Sequence, residues 1–240
     1  MNIVAIRFHT QHELVARLRK VTMLHDKSIF PYKNADIQVT DIATDQLAPA
    51  QLYVLRAEFE KVRDLRWALH GHGLDLLRLG EARIADGQLS EQPGVGQPLG
   101  FIDFDLQVGE DTQTITLLPP VVEIQEEANR VRHNLINDGL HRCYLARVSW
   151  VIPAVVRIEG VPKDLPYYAF PTPGGWADVH IVDAIGAKLI KKHHRFPYPD
   201  YKRYYRDFNS AFTNVGGPRG IETKGGGSVE ARPKKERAGA

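Results

Sequence analysis

The sequence predicts an α+β fold built on a mixed sheet. Short β-branched or alternating runs recur from Ile3 to Ile158, one long amphipathic helix interrupts them, and a tight turn near residue 139 joins strand to helix to strand. With 240 residues, 43% hydrophobic and 25% charged, the chain can bury a sizeable core without staples.

Taken in order, Ile3–Phe8 is β-branched enough for a strand, and Thr10-Gln11-His12-Glu13 has capping-box spacing ahead of Leu14, Leu18 and Val21. After the turn residues Phe30 to Asn34, Ile37–Ile42 alternates apolar and polar residues as a half-buried strand does. The strongest helix follows: Leu52, Leu55, Phe59, Val62 and Leu69 share a face, Pro49 falls in its first turn, and Gly71 and Gly73 close it. Gly87–Gly100 reads as an exposed connection. Phe101–Leu106, the turn Gly109-Glu110-Asp111 and Thr114–Leu117 predict a hairpin, and Val121–Ile124 a further strand.

The window Arg132–Arg147, followed by Val151–Ile158, carries the chemistry. Asn137-Asp138-Gly139 is turn chemistry, and Gly139 has no side chain to keep a ligand from the backbone. A helix starting near Leu140 offers free amides that attract phosphate, with His141 and Arg142 adding donors and charge. Asp138 either caps that helix or orients a metal-bound phosphate. The plainer reading keeps the same residues as a cap, a turn and surface hydrogen bonds.

The order Pro119-Pro120-Val121-Val122-Glu123, strand, Asp138-Gly139-Leu140-His141-Arg142, helix with Ala146, strand with Pro153 and Val155 resembles the core of the ParB/sulfiredoxin-like superfamily. The likeness covers mainly Ile115–Ile158. Members place a Gly-x-His-Arg or Gly-Glu-Arg-Arg turn at a helix start and hold nucleotide phosphates with it. The resemblance therefore implies a nucleotide (ATP, ADP or CTP) with Mg2+, its phosphates held by Gly139, His141 and Arg142, with Asp138 or Glu123 acting as a base or through magnesium. Leu140 stands where sulfiredoxins carry their catalytic cysteine, and Cys143 comes one residue after Arg142, so sulfinic-acid reduction is not implied. Free-serine kinases of the fold are closest in letters, which implies phosphoryl transfer or nucleotide hydrolysis without fixing the acceptor.

The net charge of +2 conceals a division. Residues 1–190 hold 19 Lys+Arg against 24 Asp+Glu, whereas residues 191–240 hold 12 against 5. Within that basic end, Phe196–Phe208 interleaves aromatics with Lys202, Arg203 and Arg206. Tyr201, Tyr204, Tyr205 and Phe208 recur at helical spacing, which predicts an aromatic helix packed on its own domain; a single-strand nucleic-acid footprint is the alternative. Asn214–Gly220 either completes a phosphate pocket through Arg219 or serves as an exit loop.

The expected organisation is an N-terminal extension (1–35), a ParB/sulfiredoxin-like domain (36–190), a C-terminal basic aromatic helix and loop (191–220) and a disordered tail (221–240). His70-Gly71-His72 and His193-His194 lack metal-ligand spacing, so no metal ligand set is expected. No Walker loop or Gly-x-Ser-x-Gly elbow is present. One cysteine, no leader-like start and no apolar run near the roughly 18 residues of a membrane span predict a cytoplasmic protein without membrane contact.

Overall fold

The computed structural model describes residues 2–186 and 190–216. Along these the chain runs β1 (Ile3–Thr10), α1 (Gln11–Leu18), β2 (Thr22–Met23), β3 (Asp36–Asp41), β4 (Leu47–Ala48), β5 (Tyr53–Leu55), α2 (Arg56–His70), β6 (Arg83–Ala85) and β7 (Gln88–Leu89). It continues through β8 (Gln97–Val108), β9 (Asp111–Leu117), β10 (Val121–Glu126), β11 (Arg132–Asp138), α3 (Leu140–Val148), β12 (Ala154–Glu159), β13 (His180–Val182) and β14 (Arg206–Asp207). The fold is α+β.

Two five-stranded sheets organise it. In the first, β1, β8, β6 and β7 lie in that order, with β9 also pairing β8, and every pairing is antiparallel. The second is mixed, in the order β3-β12-β10-β11-β4, with parallel pairing of β10 to β12 and of β11 to β4. The expected hairpin turn at Gly109 sets the β8–β9 register, and β1 adds Ile6 opposite Phe104 and Phe8 opposite Ile102. The first residues are thus woven into a sheet with the middle of the chain.

The mixed sheet is apolar on both faces, which is why Val121-Val122 and Val155-Val156 read as continuous runs. One face packs Val121, Val156 and Ile158 against Leu14 and Leu18 of α1 and against Phe208 and Phe212. The other packs Val122, Val155 and Ile136 against Leu140 and Cys143 of α3 and against Trp176. The capping box holds α1 at its start: Glu13 N donates to Thr10 Oγ1 at 3.2 Å and Thr10 N to Glu13 Oε2 at 2.7 Å.

Three expectations change. The span read as an exposed connection, Gly87–Gly100, holds β7 and the start of β8, where Leu99 is fully buried. The long helix begins at Arg56, not near Pro49, because Tyr53–Leu55 pairs with β13 and Leu52 exchanges backbone bonds with Lys191 and His180. The basic aromatic segment forms a 3-10 stretch at Asp200–Tyr204 and enters another at Phe208–Ser210, in place of an α-helix. Pro197 and Pro199 withhold two amide donors, and at Arg206 the backbone commits to strand pairing with β2. Its rings still pack internally: Phe196 stacks on Tyr204 at 4.2 Å, and Tyr205 meets Tyr168 at 4.4 Å. The expected tail at 221–240 and Arg219 lie outside the described residues.

Candidate functional site

The turn after β11 forms as its sequence implies. Gly139 sits at φ 86°, and α3 starts at the next residue. A Cβ on Gly139 would lie 2.8 Å from Arg142 Nη2 and 2.9 Å from Pro120 Cβ, so the position excludes a side chain by backbone conformation and by space. The amides of Leu140, His141 and Arg142 belong to the first helical turn, where the helix supplies no acceptor. Arg142 does not reach outward: its buried guanidinium donates to the Leu118 carbonyl and, at 2.8 Å, to Asp138 Oδ2. It braces the turn against the end of β9.

Beneath the turn lies a buried polar network centred on Glu123 of β10. Arg206 of β14 engages it twice, Nε to Oε1 at 3.0 Å and Nη2 to Oε2 at 2.9 Å. Tyr32 and Asn137 also donate to Oε1, and Gln125 to Oε2 at 2.9 Å. Burial opposes the charge of Arg206, yet Glu123 and Tyr32 outweigh it and hold its pKa above the ordinary value. Burial, reinforced by Glu123, raises the Tyr32 phenol well above its usual range. With both carboxylate oxygens occupied, Glu123 anchors the site.

A cavity of about 270 Å³ opens beside this network. Asn137 and Asp138 form one wall; Tyr168, Tyr205, Arg206 and Asp207 form the rest with their neighbours. Of the two candidate acids, Asp138 therefore borders the cavity and Glu123 stands behind it. His141 lies outside the lining. Burial chiefly, opposed by Glu58, lowers its pKa, and its buried Nε2 has no hydrogen-bond partner among the described residues.

Lys192 was not singled out by any local motif. Its Nζ donates to Tyr167 Oη at 2.8 Å and to Tyr168 Oη, and it lies 4.5 Å from the Tyr168 ring centroid. Burial, then repulsion from Lys191, brings its pKa down to about 7. Burial likewise pushes the Cys143 thiol up to about 12, so beside the motif it is a packed residue. Tyr32, Lys192 and Arg206 come from positions far from the turn; the sequence signal for Lys192 is the basic bias of residues 191–240, and for Arg206 its place in the basic aromatic segment Phe196–Phe208.

The open helix start and the cavity beside Asp138 are features a phosphate-bearing ligand can use; the guanidinium of Arg142 is already engaged, and His141 Nε2 is buried outside the cavity lining. Among the described residues no group of three or more His, Cys, Asp or Glu gathers to hold a metal, and no helix is long and apolar enough to cross a membrane. No curated protein and no solved structure matches the chain. A family model does, and its reach agrees with the architecture: residues 13–88 and 97–180 run from α1 through both sheets and the Gly139 turn to the start of β13. Since that covers two thirds of the sequence, the chain belongs to the ParB CE domain family.

Proposed function

We propose that the protein binds a nucleotide at the Asp138–Arg142 turn and, with a magnesium ion, transfers or hydrolyses its terminal phosphate. The observation that carries this reading is the cavity bordered by Asp138 next to a helix start opened by Gly139. The amides of Leu140 and His141 would hold phosphate oxygens, and the buried His141 side chain, after turning its unpartnered Nε2 outward, would add a donor or acceptor by tautomer. Asp138 would meet magnesium or accept the proton of the attacking hydroxyl, its second role being to keep Arg142 in place. When bound, the magnesium nucleotide supplies the transferable phosphoryl group and neutralises its charge.

The test is isothermal titration with ATP, CTP and ADP, each with magnesium. Binding to at least one, weakened tenfold or more in Asp138→Asn or His141→Ala proteins that keep their melting temperature, is the expected result. Absence of binding to all three, or binding that both substitutions leave unchanged, removes the reading.

A further inference from the structure

On the far side of α3 from its start, the two helices leave a groove that the turn chemistry does not use. Phe59, Leu145 and Val148 line it with Arg63, Arg66, Trp67, His70 and Ser149, around about 560 Å³ of space. Trp67 is 73% exposed, and Trp150, just beyond Ser149, is 95% exposed.

Trp150 is held out at a conformational cost. The end of α3 is a Schellman motif: Val151 N donates to Ala146 O at 2.9 Å and Trp150 N to Arg147 O at 3.2 Å. That motif places Trp150 in the left-handed region, at φ 56°, where glycine is the usual occupant. The indole recovers nothing by burial. Among the described residues no contact of the ring explains why so bulky a residue stands there, and an external contact would.

The charged side chains that line the groove are of one sign. Arg63 and Arg66 line it beside Trp67 and His70, whereas Asp64 and Glu60, three and seven residues before Trp67 on the same side of α2, are outside the lining. Arg63 has no ion pair among the described residues, and Arg66 reaches only Asp75, at 3.9 Å, and Ser149 Oγ, at 3.4 Å. His70 meets the Trp67 ring edge-on at 6.5 Å. An exposed indole set among cations, with a hydroxyl at the rim and a second exposed indole one residue beyond it, meets the requirements of a strand whose bases stack and whose phosphates are neutralised.

We infer that the α2–α3 groove binds single-stranded nucleic acid, with bases stacked on Trp67 and Trp150 and phosphates met by Arg63 and Arg66. This site is separate from the proposed nucleotide turn and does not depend on it. The chain has three tryptophans, and Trp176 is buried, so a base that stacks on an indole and quenches it can reach only Trp67 and Trp150.

The experiment titrates the full chain with labelled oligo-dT and oligo-rU, reading anisotropy and tryptophan emission together. Both nucleic acids should quench emission, and Trp67→Ala and Trp150→Gly should each weaken binding at least about fivefold. Arg63→Ala and Arg66→Ala should each lower the salt slope by about one. Trp150→Gly relieves the backbone, so that protein should melt no lower than the parent; a purely structural role for Trp150 predicts the opposite. Binding without quenching and unaffected by the tryptophan substitutions places the nucleic acid elsewhere and overturns the proposal. Absence of binding overturns it too, and polyglutamate binding lost in the same variants would then assign the groove to an acidic protein partner.

Discussion

Glu123 and Arg206 form a doubly hydrogen-bonded ion pair, at 3.0 and 2.9 Å, whose side chains are 0% and 1% exposed. The pair joins the middle of the mixed sheet to the last described strand, and its Arg206 lines the cavity at Asp138. Residues 190–216 follow the family-matched region, so this bond ties a neighbouring segment onto the family-matched body. The cavity owes its shape to both.

A buried pair of this kind costs most when halved. Arg206→Leu leaves a carboxylate without its cation and should destabilise the fold by about 3–5 kcal/mol, as should Glu123→Leu for the opposite charge. The double substitution Glu123→Leu/Arg206→Leu should recover much of that loss. Urea unfolding of the four proteins measures the coupling; simple addition of the two single losses would mean the partners act independently.

Gly139 makes a second stability prediction. Gly139→Ala forces a left-handed residue to carry a side chain and drives its Cβ toward Arg142 and Pro120. A loss of at least about 1 kcal/mol is expected in thermal unfolding. If the nucleotide reading is right, the displaced Arg142–Asp138 brace should also weaken ATP or CTP titration beyond that in the parent protein. An unchanged melting temperature would show that the turn relaxes without cost.

Lys192 links stability to pH. Its pKa falls from the ordinary 10.5 to about 7 on folding. Between those values the unfolded chain binds more protons than the folded one, so this residue makes stability rise with pH from about 7 toward 10.5 and adds nothing further below 7. Lys192→Met should flatten that rise, most clearly between pH 7 and 9, where neighbouring phenols stay protonated. Chemical denaturation at half-unit pH steps reads it, and an identical slope in both proteins would refute the assignment.

The sequence exposes those parts of the fold whose causes are local. The capping box at Thr10, the hairpin at Gly109 and the Gly139 turn each arise from residues within a few positions, and each forms. The start of α2 was hidden because β13, more than a hundred residues later, claims Tyr53–Leu55 for a parallel pair. The same limit governs the site. Asp138 and Gly139 were readable, but Arg142 faces Leu118 and Asp138 because the chain before β10 passes behind it. The buried partnership of Glu123 with Tyr32 and Arg206 spans 91 and 83 residues and leaves no spacing to detect.

Cys143 offers a reporter of how this body opens. It is the chain's single thiol, fully buried on the inner face of α3 against the mixed sheet, and burial pushes its pKa to about 12. Both effects remove the reactive thiolate from contact with solvent. A thiol reagent should therefore leave the native protein unlabelled on the time scale on which a free cysteine reacts. In urea, labelling should rise in proportion to the unfolded fraction when refolding outpaces the chemistry. Arg206→Leu should accelerate it at a fixed urea concentration by the factor its stability loss implies, because α3 and the Glu123 network close on opposite sides of the same sheet. Rapid labelling of the native protein would show instead that α3 opens by itself, independently of the ion pair that holds the sheet's other face.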